Sequence, residues 1–181
     1  MNIAIISYSL TGNNGILAAA VAKALSVEHI RITERKSRKT GTIILDMIFN
    51  RTPKIQPSPA ALGKYDQILL MGPVWMGQAA SPLRAYLKYL KVHPQPFGFA
   101  SISGGAMNTN LKLSHDLEKR AGAKPAAFVD LHIADLLPPE PEPTMKDTSA
   151  YRLNDAEISQ LAETIVDSVK TQWDFDNFNK N

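Results

Sequence analysis

Cysteine is absent from all 181 residues, which excludes disulfides, thiolate metal sites and any reaction run through a thiol nucleophile. Long apolar runs are missing too: none approaches the ~20 residues a membrane-spanning helix needs. Aromatic residues make up only 7% of the chain and do not interleave with the basic ones, so no nucleic-acid partner is expected. The N-terminus runs straight into a strand-like segment without a basic, cleavable leader, which together with the missing cysteine predicts a cytoplasmic protein. His29, His93, His115 and His132 show no metal-ligand spacing and read as surface or capping groups, so no metal site and no catalytic histidine are expected.

What is present is ordinary in bulk and uneven in detail. A hydrophobic fraction of 44% and this length predict a single domain over residues 1–181 with a sizeable core. The net charge of +3 conceals a gradient: residues 1–60 carry eight Lys/Arg against three Asp/Glu, whereas residues 131–181 carry four against ten. The densest basic run, Arg35-Lys36-Ser37-Arg38-Lys39, reads as a solvated loop, with an NADPH phosphate, a membrane surface or an acidic partner as alternatives.

Strand-like runs alternate with helical patterns, which predicts a parallel sheet covered on both faces. Strands are expected at 3–6, 27–32, 67–72, 98–103 and 127–133. The first helix shows a stripe of Ile16, Leu17, Ala20, Val21, Ala24 and Leu25. A third helix opens at Ser81-Pro82, cap residue then proline. The fourth spans about 110–121 with Gly122 as its stop. The last starts at Asn154 with Glu157 completing a capping box. A short helix near 42–49 and a proline-rich connection at 134–153, including Pro138-Pro139-Glu140-Pro141-Glu142-Pro143, lie between.

The chemistry concentrates in three loops that follow strands. The first, Ser7-Tyr8-Ser9-Leu10-Thr11-Gly12-Asn13-Asn14, joins a buried strand to a helix start, where free backbone N–H groups and the helix dipole favour an anion. It has no Lys, so it is not a nucleoside-triphosphate loop. It has no GxGxxG, so it is not the dinucleotide fingerprint. A single phosphate monoester held by hydrogen bonds fits. One capping residue would suffice for a plain helix cap, and five of these eight positions carry Ser, Thr or Asn, whose side chains can donate. After the third strand comes Gly72-Pro73-Val74-Trp75-Met76-Gly77, with an indole suited to stacking and a polarisable neighbour. After the fourth comes Ser103-Gly104-Gly105, where backbone groups can approach a planar polar ring. An Asp at the end of the third strand would suit a phosphoacceptor, but Gly72 stands there, and Asp66 reads as a turn residue.

Together these loops make the sequence resemble the flavodoxin family. Ser9-Leu10-Thr11-Gly12-Asn13 is similar to that family's S/T-x-T-G-N phosphate loop. The stretch from Tyr65 to Trp75 is similar to its third strand and flavin loop, and Ala80 to Leu87 to its following helix. The resemblance implies a flavodoxin-like α/β three-layer sandwich, a five-stranded parallel sheet ordered 2-1-3-4-5, and flavin mononucleotide (FMN) as cofactor. It implies a phosphate held by Ser7 or Ser9, Leu10, Thr11, Gly12, Asn13 and Asn14. It places the isoalloxazine ring against Pro73, Val74, Trp75, Met76 and Gly77 and against Ser103, Gly104 and Gly105, with Trp75 stacking. The chain departs from the small electron carriers of that family in being basic, in carrying Met76 where a second aromatic is common, and in its long 134–153 connection. Two activities follow as expectations: electron transfer with a partner protein, or NAD(P)H-dependent reduction of a small acceptor such as a quinone. The alternative is a flavin-free binding or interaction module on the same fold. Residues 134–153 could cover the ring through Tyr151, form a dimer contact or run over the surface. The aromatic tail from Trp173 to Phe178 could pack on the domain or on a second subunit.

Overall fold

A computed structural model describes residues 2–34, 40–104 and 110–173. The basic run at 35–39, Gly105 and the tail beyond Trp173 lie outside these described residues.

Five strands form the central sheet: β1 (Ile3–Ser7), β2 (Glu28–Arg31), β3 (Gln67–Met71), β4 (Phe97–Ser103) and β5 (Ala127–His132). They pair in parallel in the expected order 2-1-3-4-5. In β1, β3 and β4 every residue is buried, as a parallel sheet covered on both faces requires. Successive side chains alternate between two cores. Ile3, Ile5, Leu69, Met71, Ala100 and Ile102 face one core, and Ala4, Ile6, Ile68, Leu70, Phe97 and Phe99 the other.

Helices α1 (Asn13–Leu25) and α6 (Asp155–Gln172) supply the first core; α3 (Arg84–Val92) and α4 (Leu111–Ala121) supply the second. On α1 the buried apolar stripe is Leu17, Ala18, Val21 and Ala22. It is rotated from the expected one, with Ile16 47% exposed, because the buried Asn13 and Asn14 set the inward face. The predicted caps of α4 and α6 are present: Gly122 closes α4 at φ 80°, and Asn154 and Glu157 form the reciprocal capping box. Ser81 does not cap α3. A short 3-10 turn spans Ser81–Leu83 without a side-chain cap, and the Ser81 hydroxyl donates to Asp46 Oδ2 at 3.4 Å instead. This tighter entry seats Leu83 against Gly72, where an added Cβ would lie 2.7 Å from Leu83 Cδ1 and 3.1 Å from the Tyr8 carbonyl.

Helix α2 (Thr40–Ile48) lies outside the sheet layers and leaves Ile44, Leu45, Ile48 and Phe49 between 47% and 65% exposed. Two features missed from sequence are small antiparallel pairs, Thr33–Glu34 with Ile55–Gln56 and Val74–Trp75 with Gln78–Ala79. The 134–153 connection also contains a helix, α5 (Met145–Ala150), opened by a Thr144–Asp147 capping box; that Thr-x-x-Asp spacing was legible in the sequence. No helix among the described residues is long and apolar enough to cross a membrane.

Of the tail, Trp173 packs back on the first core at 4% exposure. Its ring fills the space beside Gly98, where a Cβ would meet Trp173 Cζ2 at 2.7 Å and the Ala127 carbonyl at 3.2 Å. Gly98→Ala is therefore expected to cost about 1–3 kcal/mol by overpacking. Thermal unfolding should show the loss, and pairing it with Trp173→Leu should recover part of it. An unchanged midpoint in the single variant would contradict this packing.

Candidate functional site

The loops after β1, β3 and β4 emerge together at the carboxyl edge of the sheet, as the parallel order dictates, and this edge is where open α/β sheets bind ligands. Each loop is shaped by a different device.

The β1–α1 loop turns at Gly12, whose φ of 104° suits glycine alone, and its missing Cβ faces open space. Ser9 Oγ accepts the Gly12 N–H at 3.0 Å, tightening the turn. No side chain caps α1 and no acidic residue occupies its first turn, so its leading N–H groups keep their positive end available to an anion.

The side chains expected to donate around this loop are mostly committed elsewhere, which corrects the reading of five free donors. Ser7 is buried and its hydroxyl pairs with His29 Nε2 at 2.8 Å. Asn13 donates from Nδ2 to the Tyr151 carbonyl at 3.0 Å and accepts the Leu153 N–H at 3.3 Å. Asn14 donates to the Ile102 carbonyl at 2.8 Å and accepts the Ile102 N–H at 3.1 Å. Thr11, half-buried, is the one of these five whose hydroxyl makes no hydrogen bond among the described residues. Leu10 stands 45% exposed beside it. Burial lowers the pKa of the His29 imidazole, with the Arg31 charge adding to the effect, which favours the neutral ring as the partner of Ser7.

The second loop is a β-hairpin rather than an open loop. Val74–Trp75 pairs with Gln78–Ala79 around a two-residue turn, Met76 at φ 52° and Gly77 at φ 73°. Positive φ at both central positions is the turn geometry that matches strand twist. Met76 carries the strain of that conformation and projects 74% exposed at the tip. Trp75, half-buried, meets Tyr8 edge to face at 5.9 Å between ring centroids. The Tyr8 hydroxyl in turn donates to Glu34 at 3.1 Å. Pro73, which leads into the hairpin, and Val74, its first paired residue, are half-buried.

At the third loop Ser103 is 3% exposed and its Oγ has no hydrogen-bond partner among the described residues. An unpaired buried hydroxyl is costly unless a ligand or water satisfies it. Gly104 follows, exposed, and its carbonyl accepts the Thr148 hydroxyl at 2.8 Å.

Sequence reasoning missed what surrounds these loops. The 134–153 connection is tied to two of them, through Thr148 to Gly104 and through Asn13 to Tyr151 and Leu153. The Tyr151 hydroxyl is itself bonded to Glu157 on α6. A buried polar cluster also lies beside Ser103. Asp130 accepts from Ser101 at 2.6 Å and from Asn110 Nδ2 at 3.1 Å, with His132 at 3.5 Å. Asp66, at the bend before β3, accepts the Asn2 N–H at 2.6 Å.

No protein-family model and no curated protein sequence matches the chain. Solved structures do match in fold. A protein from Bacteroides eggerthii described as a flavoprotein superposes with a TM-score of 0.61 at 15% identity, over 91% of this chain and 97% of that one. A flavoprotein from Lactobacillus acidophilus, solved in complex with FMN, superposes with a TM-score of 0.57 at 24% identity, over 71% and 92%. A flavodoxin, WrbA-like protein from Agrobacterium tumefaciens does so with 0.51 at 14% identity, over 96% and 99%. With its five parallel strands in the order 2-1-3-4-5 and these structural counterparts, the chain has the flavodoxin-like fold.

Proposed function

We propose that this protein binds FMN at the carboxyl edge of its sheet and acts as a redox protein. The observation that carries the reading is the N-terminus of α1, left without a side-chain cap behind a glycine-turned loop and flanked by two loops suited to a flat ring. The phosphate would sit on the backbone N–H groups of residues 10–14, with the Thr11 and Ser9 hydroxyls as donors. Asn13 and Asn14 contribute backbone there, since their amides hold the loop to the rest of the fold. The ring would lie against Pro73–Gly77 and Ser103–Gly105. Ser103 Oγ, buried without a partner among the described residues, offers a hydrogen bond to a polar ring edge. Tyr8 supports the indole of Trp75 edge-on, fixing one wall of the site.

When bound, the flavin supplies electron- and hydride-transfer chemistry that no side chain here could perform. The chain's own part is orientation and shielding. Exposed Leu10 and Met76 border the site with apolar surface, which favours a partner protein that docks and exchanges electrons. NAD(P)H-dependent reduction of a quinone-like acceptor is the competing activity, favoured by the basic first part of the chain. Aerobic oxidation of NADH or NADPH with a quinone by the flavin-loaded protein separates the two, and no turnover with either nucleotide removes the reductase.

Purified protein mixed with FMN is expected to quench the flavin's fluorescence and to retain its visible absorption through desalting. Thr11→Val should weaken the complex by about 1–3 kcal/mol, the worth of one hydrogen bond to a charged group. Flavin that stays fluorescent and washes away would leave the flavin-free binding module as the reading.

A further inference from the structure

Helix α2 is amphipathic the wrong way round for a helix on a protein surface. Ile44, Leu45 and Ile48 share one side of it, and Phe49, whose N–H bonds the Leu45 carbonyl at 2.9 Å, continues the same turn. All four are between 47% and 65% exposed. The opposite side buries Met47 and Asp46, the one carboxylate of the helix. We propose that the exposed apolar face is a docking surface for an anionic lipid bilayer, with the helix lying in the interface. The proposal does not depend on flavin binding.

The inversion has a cause within the fold. The Asp46 carboxylate accepts the Ser81 hydroxyl at 3.4 Å, and the Asp46 carbonyl accepts Arg84 Nη1 at 3.1 Å. These polar contacts fix which side of α2 meets the domain and turn the apolar side outward. Apolar residues exposed singly are ordinary, whereas a contiguous set of large ones marks an interaction surface. At nine residues the helix is too short to span a bilayer, so it can lie on one but not cross it.

Charge selects the occupant. Residues 35–54 carry six Lys/Arg and a single acid, Asp46, which is buried. Arg51 and Lys54 follow the helix and are exposed. The Arg51 guanidinium lies over the Phe49 ring, 5.1 Å from its centroid, which sets a cation at the edge of the apolar face. An apolar helix face flanked by cations suits the boundary between anionic headgroups and acyl chains. A second copy of the chain fits less well. In a two-fold contact α2 would pack on its own counterpart, and cations both precede and follow it in the sequence. Either direction of packing then sets like charges together. The cleft beside α2 is lined by Met47 and Asn50 and by none of the four exposed apolar residues. The face is thus a ridge, without the pocket in which a partner protein would anchor a side chain.

Co-sedimentation of the full chain with lipid vesicles tests the surface. The protein is expected to bind vesicles of equal parts phosphatidylglycerol and phosphatidylcholine and to be released as salt is added. Vesicles of phosphatidylcholine alone should bind it more weakly by about tenfold or more. The double variant Ile48→Ser, Phe49→Ser should weaken binding to the anionic vesicles by about tenfold or more, and Arg51→Gln, Lys54→Gln by about tenfold. All four positions are exposed, so the fold should tolerate the changes, which an unaltered thermal midpoint checks. Thr11→Val should bind vesicles like the unaltered chain, separating this face from the N-terminus of α1. Absence of binding to the anionic vesicles, equal binding to both kinds, or binding that Ile48→Ser, Phe49→Ser leaves unaltered overturns the proposal. A lipid-free dimer that this variant dissociates, without binding to vesicles, would also overturn it and would mark the face as a contact between copies.

Discussion

Replacing Asn14 with leucine is expected to destabilise the protein by about 3 kcal/mol, because two buried backbone groups lose their partners at once. The reason lies in the register of the sheet. β3 pairs with β4 only as far as Met71 opposite Ala100, and the last backbone bond across the pair runs from the Gly72 N–H to the Ala100 carbonyl at 3.2 Å. Two residues further along β4, the Ile102 N–H and C=O point to the same side and have no strand left to meet. The Asn14 amide stands in for that strand, accepting one and donating to the other. Leucine has similar bulk and fits the apolar surroundings, so the loss isolates the hydrogen bonds. For a chain of this size the midpoint of thermal unfolding should fall by about 6–12 °C. Asn14→Asp retains the acceptor and loses the donor, and should fall between the two. A loss below about 1 kcal/mol in the leucine variant, within the range of an ordinary surface change, would show that Ile102 finds other partners.

Arg84→Met should cost a similar amount, about 3–5 kcal/mol, by withdrawing a buried charged donor from several acceptors. Arg84 is 2% exposed. It donates to the Asp46 carbonyl at 3.1 Å and to Gln78 Oε1 at 3.0 Å, and it touches Met47 Sδ at 2.9 Å. Helix α2 and the residue after it leave Ile44, Leu45, Ile48 and Phe49 between 47% and 65% exposed, so burial alone anchors it poorly. The Arg84 fork supplies the missing attachment. Loss of Arg84 is therefore expected to release α2 before the sheet unfolds, seen as accelerated amide hydrogen exchange over 40–52 with slower change in β1 and β3. Arg84→Lys should recover less than half of the loss, because one ammonium cannot reach acceptors that diverge around a planar fork. Uniform exchange across the whole chain would mean that Arg84 supports the core rather than this helix.

Both residues show where reading from sequence stopped. The strands and the caps at Gly122 and Asn154 were legible because each depends on neighbours within a few positions, and the regular alternation of strand and helix implied the parallel sheet. Periodicity and capping are local statements about the backbone. Asn14 looked like a ligand donor because amides in a strand–turn–helix loop often are. Its partner lies 88 residues away, and that of Asn13 lies 138 away; no local pattern announces either. No local pattern singled out Arg84, since its burial depends on contacts from α2 and from Gln78 of the hairpin. The hairpin itself was hidden because Met76 is an unusual residue for a turn that needs positive φ.

By itself, the sequence determined that a buried strand would deliver a lysine-free, glycine-turned loop to the start of a helix, with two further loops at the same edge. Those features follow from hydropathy, glycine and chain order, and every parallel arrangement of these strands would keep them. Only the tertiary structure decided which polar groups remain available at that edge. Ser7, Asn13 and Asn14 are satisfied by distant parts of the fold, whereas among the described residues the Thr11 hydroxyl, the leading N–H groups of α1 and the buried Ser103 hydroxyl have no side-chain partner. A hydrogen-bond donor serves a ligand only when the fold has left it without another partner, and that partnership is settled by packing across the whole chain.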